Sequence, residues 1–288
     1  MQLPSEVDVV SAQPEIRVHR IDTGRITLNV REIGSGTPAI FLHGITSNSA
    51  VFDPILLGLK DHFRCIAVDQ RGHGLSDKPE SGYGAKDYAE DLVALIKTLN
   101  GGPAIIVGHS LGARNGIEVA AMAPHLVKCV VAIDFAPFIE KEVLDALEAR
   151  VRAGDRVFKS RQEIEDYLHD RYPLMPPDAV RRRAMSAYQE ADGGLKPLAS
   201  PKAMALTAAG LRDDLAPAFK KVARPVLVVR GALSKFTSAA ALEKSRQLRP
   251  DLPVLVVDNA DHYVNEEAPD AIMKATLDLA AKKLNGTV

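Results

Sequence analysis

A serine between two glycines is the residue of this sequence best suited to covalent chemistry. The segment G-H-S-L-G at 108–112 follows an apolar run at 104–107 and precedes a helical pattern from Leu111 to about Ala123. A tight turn between a strand and a helix lifts a serine hydroxyl above the sheet, where it can attack a substrate. An ordinary turn of this kind would use the serine only to cap the helix. The context favours Ser110 as a nucleophile.

A serine nucleophile needs a neighbouring base to take its proton. His262 lies in a loop after the last apolar run, at 254–258, and no other histidine follows His169. A histidine near the C-terminus also fits the chain order in which the serine comes first and the histidine last. The alternative is a surface histidine in a loop. We predict that His262 is the base.

The acid that orients this histidine is harder to find in the sequence. The loop 230–236 has no carboxylate, and Ser234 stands where an aspartate would be expected. Asp134 ends the apolar run at 130–134, and we predict it as the acid, although it could also serve as a turn residue. Asp258 lies only four residues before His262, and we interpret it as a turn residue.

The negative charge that develops during acyl transfer needs two backbone N–H donors. Leu111 follows the serine directly and is predicted to supply one of them. The loop 43–46, H-G-I-T, follows another apolar run, and the N–H of Ile45 is the second candidate. We interpret His43 as a brace for this loop.

Eight strand-like segments alternate with helical patterns. Two alternating segments, 16–22 and 26–34, predict an antiparallel hairpin. Six continuously apolar runs predict parallel strands buried on both faces; they lie at 39–43, 65–69, 104–108, 130–134, 226–230 and 254–258. The expected fold is α/β, an eight-stranded, mostly parallel sheet wrapped by helices.

The region between the sixth and seventh strands has no strand-like run and is rich in charged, helical sequence. We predict that 138–215 is a helical cap inserted after strand 6, and that 1–137 and 216–288 together form the core. The first 15 residues are expected to be a loose tail.

Four motifs occur in this order along the chain: HGIT, DQRGHGLSDKP, GHSLGA and DNADHYVNEEAP. In combination they resemble the α/β-hydrolase family across nearly the whole chain. The resemblance implies a Ser–His–acid hydrolase without a cofactor. The chain departs from the common pattern because the acid position after strand 7 is empty. The family does not fix the substrate, since esterases, amidases, C–C hydrolases and lactonases share the fold.

Two arginines of the predicted cap fall on apolar helix faces. Arg150 falls on the face marked by Val143, Leu147 and Val151, and Arg171 on the face marked by Ile164 and Leu168. A buried arginine needs a partner, and two arginines could bind two carboxylates in bidentate pairs. The alternative is that both reach solvent or pair with acids of the cap. We predict a small dicarboxylate substrate.

The composition limits the classes of partner and the cellular compartment expected for the protein. Lys and Arg number 36 and Asp and Glu 37, so no global charge attracts nucleic acid or a membrane. Cys65 and Cys129 lie in apolar runs and are predicted to be buried thiols of a reducing compartment. We expect a cytoplasmic protein with no metal site and no cofactor, because no secretory signal, membrane-length run or metal-ligand spacing occurs. A homo-oligomer is left open.

The leading hypothesis is therefore acyl hydrolysis of a small anionic amide. The enzymatic alternative is a carboxylesterase or C–C bond hydrolase with the same triad. The non-enzymatic alternative is a ligand-binding receptor on the same fold.

Overall fold

The computed structural model describes residues 15–284 and has an eight-stranded sheet at its centre. In chain order the strands are β1 (Arg17–Asp22), β2 (Thr27–Ile33), β3 (Pro38–Leu42), β4 (Arg64–Val68), β5 (Ala104–His109), β6 (Val127–Ile133), β7 (Tyr188–Ala191), β8 (Gly194–Pro197), β9 (Val226–Gly231) and β10 (Val254–Val257). The order across the main sheet is β1-β2-β4-β3-β5-β6-β9-β10. Only β2 pairs antiparallel, with β1 and β4, which confirms the predicted mostly parallel sheet.

The apolar runs become central strands because both of their faces are covered. Ile40 and Ile106 pack into one hydrophobic cluster, whereas Phe41 and Val107 pack into a second cluster on the other face. Successive side chains of a strand point to opposite faces, so a strand covered on both sides must be apolar at every position.

Eleven α-helices occur within residues 15–284. They are α1 (Asp53–Leu59), α2 (Ala85–Thr98), α3 (Leu111–Met122), α4 (Lys141–Ala153), α5 (Arg161–Arg171), α6 (Pro177–Ser186), α7 (Pro201–Gly210), α8 (Ala216–Lys221), α9 (Ala239–Leu248), α10 (Val264–Glu267) and α11 (Pro269–Leu284). Helices α2, α3 and α8 cover one face of the sheet, and α1 and α11 cover the other. This sandwich buries the apolar surface of the sheet.

The segment between β6 and α8 carries α4 to α7 and the β7–β8 hairpin; we call residues 141–210 the cap segment. The sequence predicted helices and no strand in this segment. The helices are present, but the prediction of no strand was wrong. The hairpin is formed by short, half-exposed strands that turn at Gly193 (φ 83°) and Gly194 (φ 144°), both in the left-handed region that favours glycine. Strands of four residues with polar positions lack the apolar run that identifies the others.

The exact division between core and cap at 138 and 215 stays a prediction, and the predicted tail lies outside the described residues. Cys65 and Cys129 are both buried in central strands. Between residues 15 and 284 there is no helix with the length and hydrophobicity needed to cross a membrane.

Candidate active site

Ser110 occupies the turn between β5 and α3 with φ 51° and ψ −112°, a conformation that L-residues rarely adopt. The two glycines allow this turn. A Cβ on Gly108 would lie 2.4 Å from the carbonyl carbon of Gly112, and a Cβ on Gly112 would lie 2.1 Å from the carbonyl oxygen of Leu42. At both positions the neighbouring backbone leaves no room for a side chain, so only glycine fits. The resulting turn places Ser110 at the carboxyl edge of the sheet.

Asp134 directly follows β6, the strand beside β5, and its side chain is fully buried. Its carboxylate accepts three hydrogen bonds. His262 Nδ1 donates at 2.6 Å, Ser234 Oγ donates at 2.6 Å, and the N–H of Gly231 donates at 3.2 Å. The Nδ1–H donation leaves Nε2 of His262 as the nitrogen able to accept a proton. This is the arrangement of an acid that fixes the tautomer of a catalytic base.

Neighbouring groups hold the His262 loop against the serine turn. His109, the residue before Ser110, donates from Nε2 to the carbonyl oxygen of His262 at 2.9 Å. Burial and the nearby His262 lower the pKa of His109 well below its usual value, so His109 stays neutral. The Phe236 ring lies 4.4 Å from the His262 ring, centroid to centroid. The loops after β5, β9 and β10 therefore converge at one edge of the sheet.

The loop after β3 approaches the same point. A Cβ on Gly44 would lie 2.8 Å from His109 Nδ1 and 3.5 Å from the Cβ of Ser110. Ile45 follows this glycine, and its side chain belongs to the same buried cluster as Leu111. Leu111 begins α3, where N–H groups have no acceptor within the helix. The predicted oxyanion residues thus flank Ser110, Ile45 on the loop after β3 and Leu111 at the start of α3.

A cavity of about 180 Å³ lies between the cap segment and the core. Thr46 and Ser47, directly after Ile45, form part of its wall, whereas neither Ser110 nor His262 does. The cavity therefore occupies the cap side of the site. Two aromatic rings connect the cavity to the predicted base: the ring centroid of Tyr172 lies 4.6 Å from that of Tyr263, which lies 5.1 Å from that of His262.

The two arginines predicted to bind substrate both line this cavity. Arg171 donates to the hydroxyl oxygens of Tyr167 at 2.6 Å and Tyr172 at 3.0 Å, and to the backbone oxygen of Arg150 at 3.1 Å. Among the described residues, neither arginine has a carboxylate within 4.0 Å. Arg150 lies on an exposed position of α4 rather than on its buried stripe, and reaches the cavity from there. An acid, Asp155, also lines the cavity.

Two further arginines line the cavity: Arg152 of α4, which pairs with Glu148, and Arg183 of α6, which the sequence analysis missed. Arg183 is buried and forms a bidentate ion pair with Glu266 of α10, whose side chain is fully buried. Burial alone would lower the pKa of Arg183, but Glu266 outweighs burial and raises it. Its guanidinium lies 4.7 Å from the Tyr263 ring centroid. The pair joins the cap segment to the loop of His262, and no sequence pattern connects residues 83 positions apart.

The charge of these arginines acts on Tyr172. Burial would raise the pKa of its phenol, but Arg171 and Arg183 outweigh burial and lower it. The cavity wall therefore combines positive charge with aromatic rings, although Asp155 also lines it, and this setting favours a small anion.

The sequence of this chain also matches a known protein family. A sequence model described as the alpha/beta hydrolase fold matches residues 37–269. The chain belongs to the α/β-hydrolase family. The nucleophile turn, the acid after a central strand and the final histidine are the features this fold brings together.

Two relatives and one solved structure are similar over most of the chain. The 2-(acetamidomethylene)succinate hydrolase of Mesorhizobium japonicum is 63% identical over 256 residues, 89% of this chain and 92% of that protein. A crystal structure of E-2-(acetamidomethylene)succinate hydrolase superposes with a TM-score of 0.91 at 61% identity, and covers 93% of this chain and 100% of its own. The (E)-2-((N-methylformamido)methylene)succinate hydrolase of Acinetobacter baylyi is 23% identical over 251 residues, 86% of this chain and 92% of that protein.

Proposed function

We propose that this protein hydrolyses the amide bond of (E)-2-(acetamidomethylene)succinate. The observation that carries the proposal is the 63% identity to a hydrolase of that substrate over 89% of this chain. The cationic cavity supports it independently, because Arg150 and Arg171 line the cavity without a carboxylate partner among residues 15–284. A dicarboxylate would supply one carboxylate partner for each of these two guanidinium groups.

In the first half of the reaction, Ser110 Oγ attacks the acetyl carbonyl carbon while Nε2 of His262 takes its proton. Asp134 stabilises the imidazolium that forms, through the 2.6 Å bond to Nδ1. The N–H groups of Ile45 and Leu111 stabilise the oxyanion. His262 then returns the proton to the leaving nitrogen, the C–N bond breaks, and the acetyl group stays on Ser110.

In the second half, water attacks the acetyl ester with His262 as base, and acetate leaves. The released enamine hydrolyses to ammonia and an aldehyde. That aldehyde carries a carboxylate on the carbon next to its carbonyl group, so it can lose carbon dioxide. The remaining product is succinic semialdehyde, and the mechanism requires only water besides the substrate.

We assign the two carboxylates of the substrate to Arg150 and Arg171. Arg171 is fixed by the hydroxyls of Tyr167 and Tyr172, so little conformational freedom is lost when it binds an anion. Removal of one charge-assisted pair should cost about 2–5 kcal/mol, because a carboxylate is left unpaired.

The test measures kcat and KM for the dicarboxylate enamide and for a neutral ester of similar size, in wild type and in Arg150→Met and Arg171→Met. We expect a steep rise in KM for the enamide and little change for the ester. Arg181→Met is the matched control, because Arg181 is an exposed arginine of α6 that does not line the cavity. Equal losses on both substrates would refute the assignment of the carboxylates.

The same assays, extended to a vinylogous diketone and to a binding measurement, separate the alternative functions. Faster turnover of neutral esters than of the enamide would indicate a carboxylesterase, and cleavage of a vinylogous diketone would indicate a C–C bond hydrolase. Saturable binding without turnover of any substrate would indicate a receptor.

A further inference from the structure

A chain of buried hydrogen bonds joins the loop after β3 to α3. Asn115 lies on α3, four residues after Leu111, and its Nδ2 donates to Oε1 of Gln70 at 2.7 Å. Nε2 of Gln70 donates in turn to the carbonyl oxygen of His43 at 2.7 Å. His43 lies two residues before Ile45, so this chain connects the two elements that carry the proposed oxyanion donors. We call Gln70 and Asn115 the amide clamp.

The chemistry of the partners fixes the orientation of both amides. A backbone carbonyl group only accepts hydrogen bonds, so Gln70 must present its NH2 group to His43 and its oxygen to Asn115. Asn115 must then present its own NH2 group to Gln70. The side chains of Gln70, Asn115 and His43 are buried, at 5%, 1% and 0% exposure. The N–H of Gln70 also donates to Nε2 of His43 at 3.1 Å, which gives the loop a second connection to the clamp.

The loop after β3 contains a strained turn that depends on such connections. The N–H of Ser47 donates to the carbonyl oxygen of Gly44 at 3.3 Å and closes a turn around Ile45 and Thr46. Thr46 has φ 63°, in the left-handed region that is unfavourable for a branched side chain. Strain of this kind persists only where surrounding contacts fix the backbone. His43 supplies one such contact, because its Nδ1 donates to the carbonyl oxygen of Gly44 at 2.8 Å.

Asn115 contributes little to stability, which points to a different role. Its Oδ1 is buried and has no partner among residues 15–284, so within that range the bond to Gln70 is the single hydrogen bond of its side chain. A buried amide with one unmet atom costs free energy, and a leucine of similar size would avoid this cost. The presence of asparagine is explained if its task is to hold the loop after β3 in place.

We propose that Gln70 and Asn115 are positioning residues for the oxyanion hole. The amide clamp sets the distance between the N–H of Ile45 and the N–H of Leu111, so that both reach the oxygen that becomes negative. Stabilisation of this charge requires donors that are fixed before the reaction. Neither clamp residue lines the substrate cavity, so the clamp acts on the chemical step and not on substrate binding. The inference rests on the proposed function, because it takes Ile45 and Leu111 as the donors.

Kinetics of Gln70→Met and Asn115→Leu on two acetyl substrates test the proposal. The substrates are the neutral ester p-nitrophenyl acetate and (E)-2-(acetamidomethylene)succinate, which form the same oxyanion at the acetyl carbonyl group. We expect kcat to fall at least about tenfold on both, because removal of a whole donor costs about 10²–10³-fold. KM should change less than about twofold, since no group that binds substrate is altered.

The melting temperature separates this role from a structural one. Asn115→Leu removes the unmet Oδ1 of Asn115 but leaves Oε1 of Gln70 unmet, so one unmet amide atom is exchanged for another. Its melting temperature should therefore stay within about 3 °C of wild type. Tyr88→Phe is the matched control, because it removes a buried hydrogen bond of 2.8 Å to Thr207 that joins α2 to α7 outside the cavity wall. Its kcat should equal that of wild type.

A kcat of Asn115→Leu within twofold of wild type on p-nitrophenyl acetate would overturn the proposal. A rise in KM alone would overturn it as well, and so would an equal loss of kcat in Tyr88→Phe. If Gln70→Met fails to fold by circular dichroism, Asn115→Leu decides the question. Wild-type hydrolysis of the ester but not of the enamide would refute the proposed substrate and leave the clamp to be judged on the ester. A wild-type protein that hydrolyses neither would overturn both proposals.

Discussion

Ser234→Ala tests how Asp134 is held in place. The Ser234 hydroxyl donates to Asp134 Oδ2 at 2.6 Å, and both residues are buried, at 4% and 0% exposure. Removal of this hydroxyl leaves the carboxylate with His262 Nδ1 and the N–H of Gly231 as its donors. The sequence alone suggests a nearly neutral substitution, because only Asp134 lies at a strand end where the acid is expected. The contacts in the structure predict a substantial loss instead.

The size of the effect follows from the kind of bond that is lost. A hydrogen bond to a charged group contributes about 1.5–3 kcal/mol, and about 1.4 kcal/mol corresponds to a factor of ten. We therefore expect kcat to fall about 10- to 100-fold, with KM little changed, because Ser234 lies outside the wall of the substrate cavity. Asp134→Asn should cost more, about 10⁴-fold, since it forces the wrong imidazole tautomer.

Steady-state kinetics on the enamide and urea unfolding measure the two consequences. Ser234 Oγ also accepts from the N–H groups of Phe236 and Thr237, so the free energy of unfolding should fall by about 1–3 kcal/mol. Ser234→Thr keeps a hydroxyl and should recover most activity. Ser245→Ala removes a buried hydroxyl that bonds only within α9, and it is the matched control. A kcat of Ser234→Ala within twofold of wild type would refute the reasoning.

Two further predictions concern stability. Glu266→Gln leaves the buried charge of Arg183 without its carboxylate, so the free energy of unfolding should fall by about 3–5 kcal/mol; a change below about 1 kcal/mol in urea unfolding would contradict this. Burial raises the pKa of the Cys65 thiol from 9.0 to about 12. The folded thiol keeps its proton where the unfolded thiol loses it, so the stabilisation is complete below about pH 9 and is lost as pH rises toward about 12. Cys65→Ala should flatten this alkaline loss, and an unchanged slope would argue against it.

The sheet and the position of Ser110 at a strand–helix turn could be predicted because their signals are local. Continuous apolar runs identify buried parallel strands, and the turn at Ser110 must have glycines because the backbone of Leu42 is so close. Asp134 could be singled out by its place at a strand end. Its partner Ser234 could not, because a hydrogen bond between residues 100 positions apart leaves no pattern in one sequence.

The cap segment was harder to predict because its structure depends on contacts between residues far apart in the sequence. Its two-stranded hairpin has short, largely half-exposed or exposed strands and no apolar run, so β7 and β8 were missed. Helical periodicity drew attention to Arg150, which is in fact exposed on α4. Arg183, which is buried, was overlooked because Glu266, the carboxylate that makes its burial tolerable, comes from the core.

Release of acetate from (E)-2-(acetamidomethylene)succinate by wild type and by Ser110→Ala is the most direct test of the central claim. Both proteins should fold alike, with matching circular dichroism spectra and melting temperatures. We expect steady release of acetate by wild type, with ammonia in equal amount, and a fall of about 10⁶-fold in kcat for Ser110→Ala, by analogy with serine proteases. An inactive wild-type protein, or a Ser110→Ala variant that keeps more than a few per cent of the wild-type rate, would contradict the account.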